Sequence, residues 1–151
     1  MKKHELTDDT ITVGGRILHR IKALKSFSDV EEGDLGGYVE KEDNLDHSGE
    51  AWVSGNARVY GNAWVYGDAW VYGDARVSGE NDYAAAKGFG REYRTTTFFR
   101  LQDGGIGVRC GCFCGTLEEF REKVKETHKE SKMGKEYLML ADLMEYKFKN
   151  A

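Results

Sequence analysis

Residues 49–78 read GEAWVS, GNARVY, GNAWVY, GDAWVY and GDARVS, five hexads in one register. Gly49, Gly55, Gly61, Gly67, Gly73 and Gly79 recur every six residues. Ala51, Ala57, Ala63, Ala69 and Ala75 share a second register, and Val53, Val59, Val65, Val71 and Val77 a third. A short fixed period of this kind marks a solenoid, whose repeats bury their apolar faces only against one another. Ala, a large residue and Val in alternation make a short strand with Ala and Val inward. Gly with Asn, Asp or Glu then supplies a corner, because Gly takes a positive φ at no steric cost and Asn tolerates one. A helix is a poor alternative, since each Gly would cost it roughly 1 kcal/mol.

The hexads resemble hexapeptide-repeat proteins of the left-handed parallel β-helix type. Those repeats place an aliphatic residue at one inward position and a small residue four further on, as Val53 with Ala57 and Val59 with Ala63 do here. The resemblance implies a left hand and three hexads per coil, so the run from about His47 to Asp82 is two coils. Two coils do not hold alone. Five Val at about 1.5–3 kcal/mol each cannot offset about 1–2 kcal/mol of backbone entropy per residue over 36 residues. The flanking segments, 1–46 and 83–151, are therefore expected to dock on the solenoid.

Stacking at eighteen residues sorts the outward side chains onto three faces. Trp52 lies above Trp70 beside Ser54 and Tyr72, Arg58 above Arg76 with Tyr60 and Ser78, and Trp64 with Tyr66. Three Trp and three Tyr on an outer surface exceed what solubility needs and point to contact. The partner is either a further copy of the chain, as a dimer or trimer, or a ring stacked beside the Arg pair.

Composition narrows the class. The chain has 151 residues, with 19 Gly, no Pro, 3 Cys and a net charge of −4. Collagen-like sequence is excluded without Pro and a Gly every third residue, and 40% hydrophobic content argues against wholesale disorder. No apolar run approaches the ~20 residues that span a bilayer, and the start MKKHELTDD lacks the apolar core of a signal peptide. Cys110, Cys112 and Cys114 do not look like a secreted disulfide framework. A soluble, cytoplasmic protein is expected.

Residues 1–46 are read as an N-terminal β cap, with a hairpin from Thr10 to Ile21 turning at Gly14-Gly15. The acidic leader after Lys25, notably 34–40 (DLGGYVE) and Asn44-Leu45, resembles the leader before the hexads in prophage hexapeptide proteins. Residues 1–82 carry net charge −7 (9 basic against 16 acidic), whereas 83–151 carry +3 (13 against 10). The charge change and the loss of period make 83–151 a separate α+β module. Residues 94–100 and 106–112 form a hairpin there. One helix is expected from the Thr116/Glu119 capping box, and a second from about Lys135 to Lys149. The string from Cys110 to Phe120, with Lys125–His128 and Gly134–Tyr137, resembles a C-terminal module common in phage proteins. The fold class is thus mainly β with an α+β C-terminus.

Cys110, Cys112 and Cys114 with His128 are weak metal candidates, because structural zinc sites usually space paired Cys by two to four residues across a turn. Cys114, just before a helix, is the best placed as a reactive thiol. Backbone N–H groups at Gly115 and Thr116 form a helix start that can bind an anion. Arg91, Arg94, Arg100 and Arg109 lie nearby in sequence, with Tyr93 and Phe113 available to stack. The competing reading is that these Arg pair with Glu118, Glu119 and Glu122. A hexapeptide acyltransferase is disfavoured: the hexads hold no loop insertion, and His47 enters at an inward register. Duplex DNA is disfavoured by the acidic charge. No cofactor is expected. Non-catalytic binding of a nucleotide-like small molecule is the leading expectation, in a phage setting where it sequesters a host defence signal. A purely structural or oligomerisation role is the alternative.

Overall fold

The computed structural model describes residues 2–91 and 94–149. Gly14 and Gly15, with φ of +55° and +81°, turn the chain between β1 (His4–Val13) and β2 (Arg16–Ala23). Both central residues of such a hairpin turn need positive φ, which Gly supplies. β3 (Leu35–Val39) follows the leader loop and lies antiparallel to β2. The hexads contribute two-residue strands: β4 (Trp52–Val53), β5 (Arg58–Val59), β6 (Trp70–Val71) and β7 (Arg76–Val77).

These short strands stack in parallel. Trp52 pairs with Trp70 and Val53 with Val71; Arg58 pairs with Arg76 and Val59 with Val77. Each pair is eighteen residues apart, the coil length that the hexapeptide resemblance implies. All ten inward Ala and Val are at most 2% exposed. Gly49, Gly55, Gly61, Gly67 and Gly73 hold φ between +64° and +70° at the corners. Gly79 departs from the expected pattern: its φ is −165°, extended, because the chain leaves the coil there for a 3₁₀ turn at Glu80–Asp82.

The leader does more than lie over the first coil. Tyr38 pairs with Arg58 and Val39 with Val59 in parallel, and Leu45 bridges Val65 in parallel. It therefore runs as part of a further coil, offset by twenty residues instead of eighteen. The resulting sheet has the order β1-β2-β3-β5-β7. Gly36 is required where the leader crosses the coil, since a Cβ there would sit 2.5 Å from the Val53 carbonyl oxygen. Lys3 closes the upper edge beside β4. Its fully buried side chain donates to the carbonyls of Ala51 at 2.5 Å and Gly49 at 3.5 Å.

The C-terminal module is a four-stranded antiparallel sheet backed by two helices. Its strands are β8 (Tyr83–Phe89), β9 (Arg94–Arg100), β10 (Ile106–Cys110) and β11 (Phe113–Thr116), in the order β11-β10-β9-β8. The helices are α1 (Leu117–His128) and α2 (Lys132–Lys149), the second starting three residues before the predicted position. Alternation along β9 gives the sheet two working faces. Phe99, with Tyr83 of β8, joins the solenoid core. Phe98 and Val108 pack with Leu117, Phe120, Tyr137, Ala141 and Phe148 of the helices.

The sheet also satisfies the lower edge of the solenoid. Thr97 Oγ1 accepts the Trp70 N–H at 3.0 Å, and Gln102 N–H donates to the Asp74 carbonyl at 2.9 Å. Asp82 accepts the Ser78 N–H at 2.9 Å and Arg100 Nε–H at 3.0 Å, while Arg100 Nη2 donates to the Phe148 carbonyl at 3.1 Å. Unpaired buried backbone groups would cost about 1–3 kcal/mol each, so these bonds do what a further coil would otherwise do. Among the described residues no helix is long and apolar enough to cross a membrane.

Candidate functional site

Docking of the sheet against the β4–β6 side of the solenoid leaves a cleft of about 520 Å³. Arg109 pairs across the strands with Thr97, so it shares the solenoid-facing side of the sheet. Its guanidinium carbon lies 3.6 Å from the centre of the Trp70 ring, a cation–π contact. Trp70 is fixed in turn by its N–H bond to Thr97 and by Nε1–H donating to the Glu50 carbonyl at 3.1 Å. Arg94 and Lys87 complete a set of three cations on the cleft wall. Arg94 lies over the turn at Gly111, where a Cβ would meet its Nη1 at 2.6 Å. Gly111 also holds φ +59°, a left-handed conformation that favours glycine.

Three carboxylates, Asp29, Glu50 and Asp68, share the wall. Asp29 Oδ2 is 3.6 Å from Arg109 Nη2, and Asp68 Oδ2 accepts Lys87 Nζ–H at 3.2 Å. The Asp29 side chain is 81% exposed, and ion pairs this exposed contribute little. A phosphate with bidentate access to a guanidinium binds it more strongly than such a partner does. A second hollow of about 420 Å³ shares Asp68, Lys87 and Thr95 with the cleft and is walled by Tyr66 and Tyr83. The two hollows are neighbours: Tyr66 and Tyr83 line one, Trp70, Arg94 and Arg109 the other, and Lys87 both.

The structure therefore brings together Arg94, Arg109 and Trp70, with Tyr66 on the adjoining hollow, whereas Phe113, Gly115 and Thr116 lie elsewhere. Phe113 pairs with Cys110, one register from Arg109, and so packs on the helix side, 5.8 Å from the Phe120 ring. The helix-start donors at Thr116 are occupied: Thr116 N–H donates to Glu119 Oε1 at 2.9 Å and Thr116 Oγ1 accepts from Glu119 N–H at 3.2 Å. Beside them Glu118, Glu122 and Glu126 line the surface, which repels an anion. Gly115 sits against Phe113 and Glu119. Arg91 is exposed in the turn after β8. Tyr93 lies outside the described residues.

On the solenoid, Trp52 was expected on the outside but is 2% exposed. The Phe27 ring meets its edge at 5.4 Å and Gly36 lies against it, so the leader covers that face. Arg58 and Arg76 stack, and burial first, then the Arg58 charge, pulls the Arg76 pKa below its ordinary value. Tyr60 faces the Arg16 guanidinium at 5.7 Å. Trp64 and Tyr66 stack on each other at 4.4 Å and remain 46% and 51% exposed; Tyr72 is 43% exposed.

The three Cys do not run along one strand. Cys110 ends β10, Cys112 sits in the turn and Cys114 pairs with Arg109. Cys110 Sγ accepts from Thr96 Oγ1 at 3.3 Å and contacts Tyr137 Oη at 3.7 Å, while His128 packs near the Tyr137 ring at 5.5 Å. Among the described residues, the donors close enough to share a metal are instead His4, Glu42 and His47. Sequence reasoning also missed Lys87, Glu50 and Asp68 in the cleft. None carries a local signal, because only docking of the sheet on the solenoid brings them together.

Residues 51–67 match the model of the YdcK β-solenoid repeat. The match covers three of the alternating Ala-X-Val segments, including β4 and β5, which pair in parallel with β6 and β7 beyond it. Comparison with curated proteins finds no match.

Proposed function

We propose that this is a non-catalytic binding protein for a small, phosphate-bearing ring compound of nucleotide-like chemistry. The observation that carries the reading is the convergence of Arg94, Arg109 and Lys87 with Trp70 on one cleft, beside a hollow walled by Tyr66 and Tyr83. The cations suit phosphate and the aromatic rings suit a base. The resemblance of the leader and the C-terminal string to prophage proteins supports a phage setting within a bacterial host. There the protein holds a nucleotide-like defence signal out of circulation. The left-handed sense of the coil is part of the same reading and rests on the hexapeptide resemblance.

Calorimetric titration with nucleoside mono- and diphosphates and cyclic dinucleotides tests the proposal. Wild type binds at least one class saturably, and Arg109→Ala weakens it about 10- to 100-fold, the value of a charge-assisted phosphate contact. No heat across the panel, or binding untouched by Arg109→Ala and Arg94→Ala, overturns it.

A second reading, self-association, is favoured by a separate observation. Trp64, Tyr66 and Tyr72 are exposed on the solenoid, and Met139, Leu143 and Tyr146 are 68%, 56% and 70% exposed along α2. Their spacing of four and three makes one helical stripe. Light scattering behind size exclusion separates the two readings: a dimer that dissociates in Trp64→Ala/Tyr66→Ala or Leu143→Glu, with no ligand bound, favours the second.

A further inference from the structure

We propose that His4, Glu42 and His47 form a site for one divalent transition-metal ion of the zinc class, which staples the N-terminal strand onto the solenoid. The site is separate from the cleft and does not depend on its function. The three residues come from β1, from the 3₁₀ turn at Glu42–Asn44 and from the start of the hexad segment. Their donor atoms all lie within 4.8 Å of one another. Two imidazoles and a carboxylate are the donor set of sites that leave one position to water, and this mixture suits zinc and its neighbours over calcium or magnesium. Glu42 and His47 border an open hollow of about 430 Å³ lined also by Asp43 and Asp46 against the one cation Lys41, so an ion has a net acidic route in.

The second observation is His4 itself. Its side chain is fully buried, and both ring nitrogens lack a hydrogen-bond partner. A buried imidazole with nothing to bond is costly and needs a reason. A metal ion meets the Nε2 lone pair at the point where Glu42 Oε2 already stands 3.9 Å away. A zinc-class ion binds an imidazole through a ring-nitrogen lone pair, in its neutral form. The Lys3 ammonium is held away from the site by the Ala51 carbonyl and the Phe27 ring.

Metal binding rearranges one ring. His4 and His47 are stacked at 4.2 Å with planes 15° apart, so their lone pairs run side by side. His47, 29% exposed, is the ring with room to turn. His47 Nδ1 accepts the Lys3 N–H at 3.0 Å and its Nε2–H donates to Glu42 at 2.9 Å. On binding, the proton moves through solvent from Nε2 to Nδ1. Nε2 faces the ion, the ring stays neutral, and the Lys3 amide loses its acceptor.

The test uses the full chain with Cys112→Ser and Cys114→Ser to remove the exposed thiols, stripped with EDTA and titrated with Zn²⁺. The expected result is one equivalent bound, a raised melting temperature and faster hydrogen exchange at the Lys3 amide. Glu42→Gln and His47→Ala each lower affinity by at least the roughly tenfold that even outer-shell losses cost. Glu42 is 40% exposed, so its variant avoids the folding risk of changing buried His4. Absence of saturable binding, or affinity unmoved by both variants, overturns the proposal.

Discussion

Replacing corner glycines by alanine, one at a time, separates backbone strain from coil stacking. All five hold φ between +64° and +70°, so each substitution carries the same left-handed penalty of about 1–2 kcal/mol. What differs is the space beyond. At Gly67 and Gly73 a Cβ meets nothing within 4 Å, so the penalty stands alone. At Gly55 the Cβ comes 3.2 Å from Gly73 N, at Gly61 2.9 Å from the Ser78 carbonyl oxygen, and at Gly49 2.6 Å from the Gly67 carbonyl oxygen. All three are contacts with backbone, which does not yield cheaply; the last is the closest, and overpacking there adds about 1–3 kcal/mol. Gly49→Ala therefore costs about 2–5 kcal/mol in all. Gly67→Ala costs about 1–2 kcal/mol, or about 2–8 °C in a chain of this size. Urea unfolding followed by circular dichroism should rank the losses Gly67 and Gly73, then Gly55, Gly61 and Gly49. Equal losses at Gly49 and Gly67 would refute the corner-on-corner stacking of the coils.

Asp82→Asn loses a carboxylate that accepts from Ser78 N–H, Ser78 Oγ–H and Arg100 Nε–H, at about 1.5–3 kcal/mol for hydrogen bonds to a charged group. Burial raises the Asp82 pKa, but the bonds from Ser78 and Arg100 outweigh it and leave it lowered. Its contribution is therefore full above the unfolded aspartate value of about 3.9 and fades as pH falls through the lower folded value. Stability–pH profiles of wild type and variant should converge in that acid window, and parallel profiles would contradict the assignment. Trp52→Ala, under Phe27 and Gly36, costs about 3–5 kcal/mol in chemical denaturation, whereas Trp64→Ala stays within about 1 kcal/mol; a reversed order would put the wrong face outside. Thr116→Ala breaks the capping box of α1 and costs about 1 kcal/mol by thermal melting; no change would show that Glu119 alone holds the helix start.

The period of six in residues 49–78 made the coil legible, because Ala and Val fill one interior register without exception. It did not reveal the leader coil. Tyr38, Val39 and Leu45 pair at an offset of twenty, which breaks the period, and Gly36-Gly37 stands where a repeat would show larger side chains. The same pattern says that Trp52 points away from the coil axis. It is silent on the Phe27 and Gly36 segment that covers it. In the C-terminal module, sequence neighbours were a poor guide to the site. Strand alternation sends Arg109 toward Trp70 and Phe113 toward Phe120, although four positions separate them. Lys87 and Asp68 meet across nineteen positions, through a docking that no local motif announces. His4 and His47 stack across forty-three for the same reason.

The binding account turns on whether the cleft of Arg94, Arg109 and Trp70 holds a phosphate-bearing ring compound. Native mass spectrometry, after the protein is mixed with the small-molecule fraction of a bacterial extract and desalted, measures this directly. The account predicts an added mass on wild type that fragments to a phosphate-containing ring and disappears in Arg94→Glu/Arg109→Glu. A spectrum of the bare chain alone, or an added mass that the double variant retains, would contradict it.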